Sequence, residues 1–264
     1  MVEQKITIII PARNEEANIG YVLREVKKYA DEIIVVDGHS SDKTVQIAEQ
    51  YEAKVVYDNG KGKGDAIRLS GRSASGDIML FIDADCSHNP HDIPRLLQPI
   101  LDGNADHVSG SRMLGGSDEL FASVTEFIRL LGSHIITLAI GKRFNVRLTD
   151  SQNGFRCIRR KVFLELDLKE NITTIEQEMV FETLRRGYRL LEVPTHEYRR
   201  KTGISCIKVW KVGFRYVWVL LRNLIKPTIA KLPAELPDIQ EAYISNWVEN
   251  RPSAPEEVEE QKVA

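Results

Sequence analysis

Asp83 and Asp85 stand in the stretch FIDADCSHNP, residues 81 to 90, directly after an apolar run. In an extended backbone, residues two apart project to the same side, so both carboxylates can face one point in space. Two like charges that close require a cation. Carboxylate oxygens are hard ligands, and a site offering few of them with open positions suits Mg2+ or Mn2+ shared with phosphate oxygens. A nucleotide diphosphate is the natural partner. Cys86 and His88 lie in the same stretch, but four ligands strung this tightly do not close the tetrahedral shell of zinc.

Other polar clusters add to this pair. Glu15 in PARNEE and Asp37 in DGHSSD each follow a strand-like run and can accept hydrogen bonds from a nucleobase or sugar, whereas Asp42 reads as a helix cap. KGKGD places Lys61 and Lys63 among glycines just before a helix, a favourable place for anionic groups. Arg112 and Arg156 supply planar donors suited to phosphate, while Arg159 and Arg160 read as surface cations. Asp150, Gln152 and Asn153 are candidates for sugar hydroxyls. Glu176, Glu178 and Glu182 offer carboxylates to a reaction needing a general base, with Glu178 the reserve candidate. A phosphate monoester acceptor, largely dianionic at neutral pH, would need none.

The elements that must carry these groups alternate. ITIII (6 to 10), EIIVV (32 to 36), KVVY (54 to 57) and DIMLFID (77 to 83) read as strands, and the amphipathic segments between and after them as helices. That order predicts a parallel, helix-covered sheet, in which ligands bind beyond the carboxyl ends of the strands. PARNEE, DGHSSD and DADCSH all fall at that end. From about residue 117 longer apolar helices take over, and the Pro- and Glu-rich stretch 228–264 shows no periodicity and is expected to be largely disordered. A catalytic domain over 1–205 and an amphipathic surface helix over 206–227 complete the expected organisation.

Composition sets the class. With 264 residues, 42% apolar and 28% charged, the chain can bury a large core. Cys86, Cys157 and Cys206 form no disulfide framework, which fits a reducing, cytoplasmic setting. The amino terminus reads as no signal peptide, and no stretch is apolar enough to span a bilayer. Residues 234 to 264 carry eight acids and two bases, so residues 1 to 233 are left with 34 bases and 30 acids. A mildly basic body favours anionic small ligands and gives no particular reason to expect nucleic acid.

DADCSHNP, taken with PARNEE, VVDGHSSDKT, KGKGDAI, GSR (110 to 112) and NGFRCIRR (153 to 160), resembles a family-two inverting glycosyltransferase of GT-A fold over residues 5 to about 225. Within that family the resemblance is to dolichol-phosphate and polyprenyl-phosphate mannosyltransferases. It implies that Pro11, Arg13 and Glu15 hold the nucleotide, that Asp37 contacts its base or ribose, and that Asp83 and Asp85 meet the metal and diphosphate. Ser87 stands where some relatives give a third metal contact. Arg200 opens RKTGIS, similar to a mobile loop whose arginine reaches the donor diphosphate. Arg129 and Ser133, four apart after GSR, fall where the family meets the acceptor phosphate. The chain departs from the pattern at Gly38, where a second acidic residue often follows Asp37.

Two helices point to the acceptor. In residues 121 to 141, Glu126, Arg129, Ser133 and Thr137 form one polar stripe on an apolar helix. In residues 207 to 226, Lys208, Lys211, Arg215, Arg222 and Lys226 share one face with Trp210 and Trp218 among the apolar remainder, the pattern of an interfacial helix. The sequence therefore predicts metal-dependent, inverting transfer of a hexose from a nucleotide diphosphate to a polyprenyl phosphate, by a peripheral protein on the inner face of the membrane. Mannose from GDP-mannose is the first donor expected and glucose from UDP-glucose the second. Transfer to a soluble or polysaccharide acceptor is the nearby alternative. A sugar-1-phosphate nucleotidyltransferase would want a glycine- and base-rich first turn, which PARNEE is not, and a non-catalytic scaffold would not require Asp83, Asp85, Arg112 and Arg200 together.

Overall fold

The computed structural model describes residues 4–118, 124–199, 209–233 and 235–249. The first half follows the predicted alternation: β1 (Ile6–Ala12), α1 (Ile19–Val26), β2 (Glu32–Asp37), α2 (Thr44–Gln50), β3 (Lys54–Tyr57), α3 (Lys63–Ser73), β4 (Ile78–Phe81) and α4 (Ile93–Leu101). The second half supplies β5 (His107–Ser111), the short α5 (Arg112–Gly115), the long α6 (Val124–Phe144), β6 (Arg156–Arg159), α7 (Arg160–Glu165), α8 (Ile175–Arg185), β7 (Leu190–Pro194), α9 (Val209–Leu224) and α10 (Leu236–Glu249). These strands form one sheet in the order β3-β2-β1-β4-β6-β5-β7. Strand β6 runs antiparallel to β4 and β5, and the other pairings are parallel.

Strands buried on both faces need apolar residues at every position, and β1, β2 and β4 supply them. Ile8 and Ile10 pack on one face with Val22 and Leu23 of α1 and Leu96 and Ile100 of α4. Ile9 packs on the other with Ile67 of α3, Phe163 of α7 and Met179 of α8. A third cluster joins Ile136 and Ile140 of α6, Phe181 of α8 and Leu220 of α9, and so hangs the second half's helices on the sheet.

Two features were not foreseen from the sequence. The stretch 228–264 is not without regular structure, because α10 lies within it. Leu236 is buried in the main core, and Ile239 and Tyr243 pack against that core at helical spacing. The acidic composition hid a short apolar stripe. Second, the basic stripe of α9 does not face outward. Arg215 Nε lies 3.0 Å from Glu170, Arg222 Nη2 lies 2.9 Å from Glu178 and 3.1 Å from Glu170, and Lys226 Nζ lies 2.7 Å from Glu182. All three acids are fully buried. The cations are turned inward because those carboxylates would otherwise be stranded, and the apolar side chains Phe214, Val217, Trp218, Leu221 and Ile225 are left exposed. Lys208 and the side chains of Trp210 and Lys211 lie outside the described residues, as does the expected boundary near 205. No described helix is long and apolar enough to cross a membrane.

Glu182 is the most heavily paired of the buried acids, meeting Arg185 and Arg186 of its own helix besides Lys226. Glu182→Gln should leave those cations without a counter-charge and cost about 2–3 kcal/mol, less than a fully enclosed pair because Lys226 reaches solvent. Urea denaturation checks this; a loss under about 0.5 kcal/mol, the scale of a surface substitution, would make the cluster an ordinary surface network.

Candidate active site

One cavity of about 780 Å3 opens at the carboxyl ends of β1, β4 and β5 and is walled on its far side by α6 and α9. Pro11, Glu15, Lys63, Asp83, Asp85, Ser87, Arg112, Arg129, Ser133 and Gln152 all line it. All ten were named from the sequence, and the fold places them around one cavity. Arg200 lies outside the described residues.

The floor is ionic. Lys63, at the first position of α3, holds Asp83 at 2.6 Å and Glu176 at 3.0 Å. Burial alone would lower the lysine, but the two carboxylates raise it above its ordinary range. Burial likewise would raise the Asp83 carboxyl, yet Lys63 and His88 hold it well below its usual range. Both groups are therefore charged. Glycines make room for the pair. A Cβ on Gly154 would stand 2.8 Å from Lys63 Nζ and 2.9 Å from an Asp83 oxygen, and one on Gly64 would stand 2.5 Å from the Glu170 carbonyl.

After Asp85 the chain turns sharply, with Cys86 in the left-handed region at φ 61°. The turn carries Ser87 back so that its N–H and Oγ donate to Asp85 Oδ1 at 3.1 and 2.6 Å. The backbone of Tyr198 pins it by donating to the Ser87 carbonyl at 2.8 Å. Through the same contact region Glu197 bridges to His88 and Ser117, which brings its carboxylate into the cavity. Arg112 is clamped there by Asp150, at 2.6 Å from Nε and 3.1 Å from Nη2, and by Glu197 at 3.3 Å from Nη1. Burial opposes its charge, and the two carboxylates hold it firmly protonated.

Asp83, Asp85 and the Ser87 hydroxyl are hard oxygen donors grouped at one end of the cavity, and they fit Mg2+ or Mn2+ with the remaining positions left to phosphate. Among the described residues no group of three or more His, Cys, Asp or Glu side chains is placed to hold a metal ion by itself. Three lining atoms are buried without a partner: Gln152 Nε2, Glu176 Oε2 and His88 Nδ1. Buried polar atoms without partners are costly, so these three mark places around the cavity where the hydrogen bonding is incomplete.

Five residues named from the sequence sit differently from expectation. Arg156 is 1% exposed and donates to the carbonyls of Asn153 and Glu176, so it braces the floor and is no phosphate ligand; burial pushes it down to about 10. Asp37 is fully buried, and its carboxylate is taken by the N–H and Oγ of Ser40, which leaves it shaping the loop and not meeting a base. Arg13 is exposed beside the cavity and does not line it, its stem resting 3.3 Å from the space a Cβ on Gly38 would fill. Glu178 is buried and engaged by Arg222 and the N–H groups of Lys169 and Glu170, so it is no general base. Asp150, expected to meet sugar, is committed to Arg112. Residues that sequence reasoning missed include Glu197, whose only signal is its place in HEYRR beside the expected mobile loop, and Thr149.

The polar stripe of α6 is largely as read. Arg129 and Ser133 line the cavity, and Thr137 is buried with its Oγ1 2.8 Å from Ser151 Oγ; the side chain of Glu126 lies outside the described residues.

Comparison with known proteins agrees with this architecture. The model of the family described as Glycosyl transferase family 2 matches residues 7–167. A UDP-N-acetylglucosamine–dolichyl-phosphate N-acetylglucosaminyltransferase of Methanococcus voltae is 27% identical over 85% of this chain and all of its own. A dolichol-phosphate mannosyltransferase of Pyrococcus furiosus is 29% identical over 81% of this chain, which spans 62% of the Pyrococcus protein's length. Glucosyl-3-phosphoglycerate synthase of Mycobacterium tuberculosis, solved with Mn2+ and UDP, shares the fold with a TM-score of 0.66 at 23% identity, covering 85% of this chain and 81% of that one.

The Lys63–Asp83 pair predicts a competition. Because Lys63 neutralises one of the two carboxylates a divalent cation would use, Lys63→Met should bind Mn2+ alone about tenfold more tightly while binding Mn2+ with UDP or GDP less well. Calorimetric titration of each checks this; unchanged or weaker binding of Mn2+ alone would show that the lysine does not compete.

Proposed function

The chain belongs to glycosyl transferase family 2, and on that premise we propose that it transfers a hexose from a nucleotide diphosphate sugar to a polyprenyl phosphate, with inversion, on the cytoplasmic face of a membrane. The observation that carries this reading is the two-part character of the cavity. Its floor is ionic, with Lys63, Asp83, Asp85 and Arg112, and its far wall is apolar, with Leu130, Ile136, Val217 and Leu220. The two helices of that wall also leave Leu131 and Leu138 of α6 and Trp218 of α9 exposed outside the cavity, with the exposed Ile135, Phe214 and Val217 at its rim. A ligand with a phosphate head and an apolar chain matches both parts, and an apolar outer face suits a lipid surface.

The reaction follows from the residues present. The acceptor phosphate, dianionic at neutral pH, is its own nucleophile, so no carboxylate need take a proton. Arg129 and Ser133 hold it beside Arg112, and its oxygen attacks the anomeric carbon from the side opposite the departing diphosphate. The new C–O bond forms as the old one breaks, and the nucleotide diphosphate leaves. Gln152 and Glu176, which line the cavity beside Asp83, hold the sugar in line for that attack. Pro11 and Glu15 hold the nucleotide. A divalent cation at Asp83, Asp85 and Ser87 would neutralise charge on the leaving diphosphate, with Arg200 as the second source of positive charge.

GDP-mannose is the first donor to test. UDP-glucose is the second, a uridine donor being favoured by the name of the Methanococcus relative. A soluble or polysaccharide acceptor is the alternative that the apolar wall disfavours.

Asp85→Asn should abolish transfer from a panel of labelled nucleotide sugars to a short polyprenyl phosphate while the fold persists by circular dichroism; full activity in EDTA, or in this variant, would remove the metal from the reaction. Phe214→Ser with Trp218→Ser should lower co-sedimentation with phosphatidylcholine vesicles by about tenfold or more, given ~2 kcal/mol for each large side chain. Because the described cations of α9 are committed inward, wild-type binding should change little with salt. Binding that needs anionic lipid and is lost in high salt would point to a charged surface elsewhere.

A further inference from the structure

The sheet ends at β7, whose outer edge carries the N–H and C=O of Glu192. Gln240 of α10 meets both. Glu192 N–H donates to Gln240 Oε1 at 2.7 Å, and Gln240 Nε2 donates to the Glu192 carbonyl at 2.7 Å. A side-chain amide thus stands where an eighth strand would pair, and α10 closes an edge that would otherwise be open.

The Glu192 side chain reaches in a different direction, to the turn that precedes β6. One carboxylate oxygen accepts from Thr149 N–H at 2.8 Å and Thr149 Oγ1 at 2.9 Å, and the other accepts from Asp150 N–H at 2.7 Å. Thr149 Oγ1 also lies 2.6 Å from Ser111 Oγ at the end of β5. Asp150 is the residue that clamps Arg112. Of the five guanidinium N–H groups of Arg112, Asp150 and Glu197 take three, which leaves one on each terminal nitrogen for a ligand in the cavity. Where those two point is set by where Asp150 sits.

Glu192 is 2% exposed, and burial pushes its carboxyl up to about 7, with the Asp150 charge adding to the rise and the donors opposing it. A hydrophobic residue at this place in the strand would avoid that cost. Only a carboxylate offers acceptors to all three donors at once. A glutamine would present one acceptor oxygen and turn an NH2 toward one of the donors.

We propose that Glu192 is a positioning residue of the transfer site and that α10 is part of the same device: Gln240 fixes the edge of β7, the Glu192 carboxylate fixes the Thr149–Asp150 turn, and the turn aims Arg112. The inference rests on reading Arg112 as a donor to phosphate in the transfer reaction.

Glu192→Gln and the milder Gln240→Ala, each in the full chain, test it with three measurements. Amide exchange should accelerate locally over residues 147–153, with the exchange of β1 and β4 and the melting temperature nearly unchanged. Affinity for Mn2+ with UDP or GDP should hold within about twofold. Turnover with the same nucleotide's sugar and a short polyprenyl phosphate should fall, by about 10²-fold for Glu192→Gln, the cost of a misplacement on the order of 1 Å, and by less for Gln240→Ala. Faster exchange throughout the chain with a collapsed melting temperature in both variants would make the contacts merely structural and overturn the proposal. So would local exchange that stays slow, or turnover that is unaffected when the turn loosens. If the wild-type protein itself transfers no sugar to polyprenyl phosphate, the transfer reading fails, whereas the exchange result still decides whether Glu192 and Gln240 hold the turn.

Discussion

The contact between Lys63 and Asp83 is the constraint around which the site is arranged. Asp83 and Asp85 stand two residues apart at the carboxyl end of a buried strand, where nothing in the strand itself can offset their repulsion. Lys63 comes from a different crossover, at the first position of α3, and reaches across to Asp83 while Glu176 of α8 holds its other side. That reach is possible only because Gly64 lets the loop around Glu170 and Asn171 lie against the start of α3, and because Gly154 leaves the space between lysine and aspartate empty. Backbone approach, helix start and ion pair are thus one requirement met in three places.

A second set of ion pairs decides what the outside of the molecule looks like. Glu170, Glu178 and Glu182 are buried beneath α9, and a buried carboxylate without a partner is far more costly than an exposed apolar side chain. The helix therefore settles with its cations inward and its aromatic and aliphatic residues outward, the reverse of how a surface helix usually lies. Phe214 at 78% exposed and Ile225 at 83% exposed are the price of satisfying those acids. The same rotation places Val217 and Leu220 on the cavity wall, so interior charge pairing and the apolar lining of the site have a common cause.

How much of this was legible follows from what each signal physically encodes. The strands and helices of residues 6 to 101 were readable because a doubly covered sheet demands apolar runs and its crossovers demand helical periodicity. Asp83 with Asp85 was readable because the two are neighbours in sequence and in space, and Lys63 because it stands among glycines at a helix start, although its pairing with Asp83 and Glu176 was not. Arg156 and Asp37 were not, since a charged residue bonded to carbonyls or to a local serine looks the same in sequence as one aimed at a ligand. The α9 stripe was seen and its buried partners were not. Periodicity shows that a helix has two faces, and only the acids on α8 and the loop before it decide which face is buried. Glu192 and Gln240 gave no signal at all, because their roles are a pairing across forty-eight positions. The helix α10 was hidden by its acidic surroundings.

The charge on the cavity wall bears on which species can enter. Among the described residues six carboxylates line it, those of Glu15, Asp83, Asp85, Asp150, Glu176 and Glu197, against three strong cations, Lys63, Arg112 and Arg129. A free diphosphate would add further negative charge to a wall already in surplus, in a partly enclosed space where such repulsion is poorly screened. The internal pairs do not remove the surplus, since Lys63 and Arg112 each already answer to two acids. A diphosphate that arrives with its own positive charge would meet less of that repulsion. On the transfer reading proposed above, the acid surplus would favour a nucleotide diphosphate paired with a divalent cation over a bare one, and it would give the product diphosphate less reason to remain once that pairing is lost.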